Sequence, residues 1–307
     1  MQTATAPVAR PTRSEAMIGL EPLAEIIETA LFTAHLTGTI PISLIVVGPS
    51  GAGKSKMIMQ YHSSNGCHLT NDVTSMGLLE LLAADRDNKL TFMIIPDFNV
   101  VLSHRSSTLQ LLIANLLSVT SEGTVRCDDG RVKKEAKHNP IGIVSAMTRD
   151  LYNNVARKWH AIGFHRRFLP LYYDYSFETR HKIQASIAHG QTTLLQLIPQ
   201  GLHTPATPQD ISIEAQAQQV LIFSDELACN MGWMPIKTRA SRSKTGEGYT
   251  TKAVNIGKQL EFSPHLALRS MARAHALRAG RKEVTEEDLK FLVRLMTFTR
   301  FDRPASL

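Results

Sequence analysis

The stretch Ile42–Ser55, ISLIVVGPSGAGKS, decides the fold. Its first half is a short apolar, β-branched run bounded by Pro41 and Gly48, and it reads as a strand buried on both faces. Its second half, Gly48–Ser55, has the form G-x-x-x-x-G-K-[ST], and Lys54 to Tyr61 continues as a helix. Strand, glycine-rich turn and helix in that order are the context a phosphate-binding loop requires. The glycines let the backbone wrap an anion and present N–H groups at a helix start. Gly48, Pro49, Ser50, Gly51, Ala52, Gly53, Lys54, Ser55 and Lys56 are therefore the candidate nucleotide contacts. Lys54 reaches the β- and γ-phosphates, and Ser55 offers a hydroxyl to Mg²⁺.

Further units extend outward from this one. Glu21 to Ala34 carries Leu23, Ile26, Ile27, Ala30 and Leu31 at helical spacing. Strands are expected at Leu90–Pro96, Ile141–Ser145 and Phe168–Tyr172, and helices at Met76–Ala84 and Ser106–Val119. The alternation predicts an α/β fold: a parallel P-loop NTPase sheet sandwiched by helices. A phosphate loop also needs a metal-ordering carboxylate at a neighbouring strand end, and LTFMIIPD supplies Asp97. Phe98 follows it. Many hydrolysing enzymes place a water-activating Glu at that step, so nucleotide binding is expected with slow hydrolysis. Glu122 is a weak substitute for that base.

The proline-rich segment Pro199–Asp210 marks a boundary. The expected division is a tail over 1–15, an α/β nucleotide-binding domain over 16–198, and a smaller, mainly helical lid over 199–307. In the lid, Ser263 with Pro264 starts a helix that Gly280 ends, and Thr285 with Asp288 forms a capping box for the next. Arg239–Lys252 is polar and contains glycine, and is expected to be a loop.

The order of these motifs resembles the AAA+ ATPases over about Ile18 to Leu295. MIGLEPLAEII is similar to the family's linker, which places Ile18, Gly19 and Leu20 along the adenine. GPSGAGKS is similar to Walker A and MIIPD to Walker B. IGIVSAMTRD resembles the sensor-one strand, with Thr148 at the residue that orients water or the γ-phosphate. GFHRRFLPL resembles the arginine-finger segment, with Arg167 the first choice and Arg166 the second. SPHLALRSMARAHALRAGRKEVTEEDL resembles the helical lid of the MoxR and minichromosome-maintenance branches, with Arg269 as sensor two and Arg273 its competitor. The resemblance implies ATP and Mg²⁺ as cofactors and a homo-oligomer, ring or spiral, in which a neighbour's arginine completes each site.

The chain has 307 residues, 34 basic against 27 acidic, a formal net charge of +7. That balance permits a polyanionic partner. EGTVRCDDGRVKKEAKHNP reads as a hairpin turning at Asp129-Gly130, with TVRC and RVKK as arms. It carries Arg126, Arg131, Lys133, Lys134 and Lys137, candidates for a nucleic-acid backbone. The expected function is an ATPase that oligomerises and couples nucleotide state to engaging or remodelling a macromolecule, DNA first. A MoxR-like chaperone acting on a protein partner and a P-loop small-molecule or nucleotide kinase are the alternatives. An unidentified companion protein is a further candidate partner. No apolar run is long enough to span a membrane, and three scattered cysteines form neither a disulfide framework nor a zinc site. A cytoplasmic location is the expectation.

Overall fold

The computed structural model describes residues 18–128, 133–188, 202–239, 249–256 and 262–307. The expected tail over 1–15, the hairpin turn at Asp129-Gly130 and Arg131 lie outside the described residues.

The chain begins with α1 (Glu21–Phe32), β1 (Ser43–Gly48), α2 (Lys54–Met59), β2 (Cys67–Leu69), α3 (Ser75–Ala84), β3 (Phe92–Ile95), α4 (Phe98–Leu102) and α5 (Ser106–Glu122). A hairpin, β4 (Thr124–Asp128) and β5 (Lys133–Lys137), leads to β6 (Gly142–Thr148), α6 (Arg149–Ala161), β7 (Phe168–Asp174) and α7 (Phe177–Ala188). The C-terminal part holds α8 (Ala217–Met231), β8 (Trp233–Arg239), β9 (Tyr249–Asn255), α9 (Phe262–Arg278), α10 (Glu286–Thr297) and β10 (Ala305–Ser306).

Six strands form a parallel sheet in the order β10-β7-β1-β6-β3-β2. Alternation along the strands sends side chains to two cores. Leu44 and Val46 of β1, with Val144, Ala146, Leu169 and Leu171, face a cluster built with α1, α2 and α8–α10. Ile45 and Val47, with Ile143, Met147 and Tyr172, face a second cluster under α3–α6. Strands covered on both faces explain why β1 reads as one continuous apolar run.

The C-terminal helices follow their end signals. Thr285 N donates to Asp288 Oδ2 at 2.7 Å, which closes the expected capping box of α10. Gly280, at φ 73°, ends α9, and Arg281 N returns to Ala276 O at 2.9 Å. Ser263 and Pro264 lie inside the first turn of α9, so Ser263 is not its cap.

Two expectations are corrected. Arg239–Lys252 is not a loop throughout: β8 and β9 pair antiparallel from Trp233↔Asn255 to Arg239↔Tyr249. Met234 is buried in the second core, and Trp233 and Ala253 pack against it, so the hairpin's inner face is anchored where its polar composition hid it. In the first hairpin the described part of the second arm runs over Lys133–Lys137, past the expected RVKK, with Thr124↔Lys137 and Asp128↔Lys133 in register; Arg131 and Val132 lie outside the described residues. Burial of Val125, Cys127 and Ala136 selects that register.

Candidate nucleotide-binding site

The ends of four neighbouring strands meet at one edge of the sheet. Gly48 ends β1, and its register partner across the sheet is Thr148, the last residue of β6. Ile95 ends β3 opposite Ser145, so Asp97 follows on the far side of Thr148. Asp174 ends β7 on the other side of Gly48. The carboxyl ends of parallel strands are where α/β folds bind ligands.

The loop itself is set by backbone conformation. Gly51 and Gly53 have φ of 72° and 75°, values that only glycine adopts readily. Helix α2 has six residues, so the loop's own N–H groups, more than a long helix dipole, would hold an anion. Lys54 is 7% exposed. Its ammonium donates to Gly48 O at 3.2 Å and to Pro49 O, both within the loop. Burial pushes the Lys54 pKa down, and the charge of Asp97 opposes that shift, as expected of a carboxylate aimed at the same space.

Asp97 is half-buried and caps α4, its Oδ1 accepting from Asn99 N at 3.0 Å. Phe98 is fully buried, with ring centroids 5.5 Å from Trp159 and 6.0 Å from Phe164. The residue after the carboxylate is thus a core side chain, which explains why no acid stands there. Asn99 carries a buried Oδ1 with no hydrogen-bond partner among the described residues. Thr148 occupies the cap position of α6 but makes no capping hydrogen bond, so its hydroxyl is not spent on the helix. Glu122 is exposed at the end of α5, and no contact among the described residues ties it to Lys54 or Asp97.

A cavity of about 390 Å³ opens beside the loop, lined by Pro49–Ala52, Asp174, Tyr175 and three residues of α7: Arg180, Ile183 and Gln184. Arg180 Nη2 holds Asp174 Oδ1 at 2.7 Å. Sequence reasoning missed α7. Its signal was the i, i+3, i+4 spacing of those three side chains. Gly19, at φ 80°, packs on the same helix: a Cβ there would stand 2.8 Å from Thr179 Cγ2. Ile18 and Gly19 therefore sit beside the helix that walls the cavity.

The arginines divide by location. Arg166 and Arg167 precede Phe168, the partner of Ser43 at the opposite edge of the sheet. At about 3.3 Å per residue, β1 separates them from Gly48 by roughly 16 Å, too far to serve the loop of their own chain. Arg166 is exposed, while Arg167 reaches Ser121 Oγ and Gly163 O at 3.4 Å each. Arg273 is committed to structure, bonding Ile211 O, Thr39 Oγ1 and Asp210 Oδ1 at 2.9, 3.2 and 3.0 Å. Arg269 is exposed on α9, and no contact among the described residues joins it to the loop.

Residues 251–305, containing α9 and α10, match the family model of the AAA lid domain. The match supports the AAA+ ATPase superfamily. No curated protein matches the chain. A parallel sheet flanked by helices, followed by an AAA lid helical region, is the arrangement the motif order implied.

The protein groups suit Mg²⁺ chemically. Ser55 and Asp97 offer hard oxygen donors, and no cluster of three or more His, Cys, Asp or Glu occurs among the described residues. Two protein oxygens fit an ion that keeps waters and takes its remaining ligands from phosphates.

On the hairpin, Arg126 pairs with Glu135 at 3.5 Å and Lys133 with Asp128 at 3.7 Å. Lys134 and Lys137 are exposed and make no ion pair with a described residue. No helix among the described residues is long and apolar enough to cross a membrane.

Proposed function

We propose that this chain is an AAA+-type ATPase that binds Mg²⁺-ATP at Gly48–Lys56, oligomerises, and uses nucleotide state to engage or remodel a macromolecule. One observation carries the reading: the loop stands at the carboxyl edge of β1 with Asp97 and Thr148 at the ends of the next two strands. In this account Lys54 neutralises the β- and γ-phosphates, and Ser55 and Asp97 hold the metal. Bound Mg²⁺ supplies charge neutralisation at the transferred phosphoryl group. Thr148 orients the attacking water. Ile18, Gly19 and the wall of α7 receive the base, and Arg269 contacts the nucleotide from the lid. Hydrolysis is slow because a buried phenylalanine follows Asp97.

Arg166 and Arg167 act on a neighbouring subunit, since their own loop is out of reach. This makes the active form a homo-oligomer whose assembly and nucleotide state are linked. Mixing Lys54→Ala with Arg166→Ala/Arg167→Ala tests it. Each variant alone lacks hydrolysis, and the mixture recovers part of it. A mixture as inactive as its components contradicts the shared site.

DNA is the first partner we assign, through Arg126, Arg131, Lys133, Lys134 and Lys137, in a reduced cytoplasmic setting that suits three free cysteines. The ion pairs of Arg126 and Lys133 favour a second reading, a chaperone with a protein partner or companion, because they neutralise half of the hairpin's described basic groups. We keep the domain division at 198/199, which lies outside the described residues.

A further inference from the structure

The run Tyr172-Tyr173-Asp174-Tyr175 belongs to no phosphate-binding motif, yet two of its side chains hold the loop. Tyr173 and Tyr175 are two residues apart, so their side chains leave the chain on the same side. Tyr173 Oη donates to Ala52 O at 2.9 Å, and Tyr175 Oη donates to the same oxygen at 2.9 Å. A carbonyl oxygen has two lone pairs, and this one uses both. The rings brace each other edge to face, with centroids 5.7 Å apart. Tyr173 is 1% exposed, and its ring also lies over Gly48, where a Cβ would meet Cε1 at 2.7 Å. Burial pushes both phenols up, Tyr175 to about 12 and Tyr173 further, so both remain O–H donors.

The geometry of one peptide links this fork to the anion. The structure has no cis peptide among its described residues. In a trans peptide the C=O and the following N–H point in opposite directions. Holding the oxygen of Ala52 toward β7 therefore turns the N–H of Gly53 away from β7. Gly53 and Gly51, both left-handed, have the most backbone freedom to lose, and the fork removes it before a ligand arrives. We propose that Tyr173 and Tyr175 are positioning residues that preset Gly53 N–H as a donor to the bound polyphosphate. The proposal rests on the phosphate-loop reading and deepens it.

The test uses the full chain and three variants, Tyr173→Phe, Tyr175→Phe and the double, which keep the rings and delete the hydroxyls. Calorimetry with inorganic tripolyphosphate and with Mg²⁺-ATP measures affinity, and thermal melting measures folding. One phenol still holds the oxygen in each single variant, so each loses severalfold in affinity. The double loses more than the product of the singles, tenfold or more for both probes, with its melting midpoint retained. Such non-additivity marks two groups acting on one target. Wild-type affinity in the double variant, or losses that merely track a falling midpoint, overturns the proposal. Should the double not fold, Tyr175→Phe decides: unchanged tripolyphosphate affinity overturns it. Lys54→Ala separates the two layers. If it abolishes binding while the tyrosine variants bind normally, the loop reading stands and the fork falls. If the wild type binds neither probe, both fall.

Discussion

Thr148 stands beside Gly48 as its register partner across β1 and β6, with a side chain that the following helix does not use. A threonine at a strand end is usually explained by capping. That explanation is removed here, and a hydroxyl remains next to the loop's first residue. Thr148→Ala should lower ATP turnover by about tenfold or more while leaving ATP affinity within about twofold, and Thr148→Ser should restore most of it, since a group felt mainly in the transition state changes kcat. Equal turnover in wild type and Thr148→Ala returns the residue to a structural role.

Phe98→Glu is the obvious route to faster hydrolysis by analogy, and the structure predicts that it fails. The side chain fills a fully buried site against Trp159 and Phe164. Losing the ring and burying a carboxyl there costs about 3–5 kcal/mol or more. Chemical denaturation should show that loss with no gain in turnover. A stable, faster Phe98→Glu enzyme would refute the burial argument. Asn99, whose Oδ1 has no partner among the described residues, is the better place to look for a water-orienting group.

The junction of α1 with the lid titrates. His275 Nδ1 lies 2.6 Å from Asp288 Oδ1, and its Nε2 lies 3.5 Å from Glu25 Oε1. Burial alone would lower the His275 pKa, but the two carboxylates together raise it. The hydrogen bond to His275 is the main cause that holds Glu25 down at about 2, and Asp288 is lowered against its burial by His275 and Arg281. A raised histidine stabilises fully below its unfolded pKa of about 6.5, and that contribution is lost as pH rises through the folded value. The lowered carboxylates act oppositely, contributing above about 4.5 and losing it toward pH 2. The melting midpoint should therefore fall from about pH 6 to pH 8.5 in the wild type, and less steeply in His275→Gln. Identical slopes contradict the coupling.

If the first hairpin touches DNA, the lysines that pair with no described residue should carry the salt dependence. Lys134→Ala with Lys137→Ala should reduce the slope of log affinity against log salt by about one to two. Arg126→Ala should do less, because Glu135 already neutralises that charge. Binding with no salt dependence sinks the nucleic-acid assignment and leaves the protein-partner reading.

Much of this was legible in the chain because local signals and tertiary context agree. The glycine-rich turn between β1 and α2 announces itself through Gly51, Gly53 and Lys54, and β1 through a run buried on both faces. The capping box at Thr285 and the stop at Gly280 are local chemistry that the fold retained. What was hidden depends on residues far apart in sequence. Ala52 and Tyr173 meet only because β7 lies next to β1, and spacing alone does not reveal strand order. Arg273 competed with Arg269 on paper. Its bonds to Thr39, Asp210 and Ile211 show it tied to distant segments. Arg239–Lys252 reads as a loop because its own residues are polar; the strands it joins are anchored through Met234 and Ala253, which lie outside that segment.

The proposed function presupposes that the loop binds a nucleotide. Calorimetric titration of Mg²⁺-ATP into the wild-type chain and into Lys54→Ala tests that most directly. The account predicts saturable heat with one site per chain in the wild type and none in the variant. No heat in the wild type, or the same isotherm in both, would contradict it.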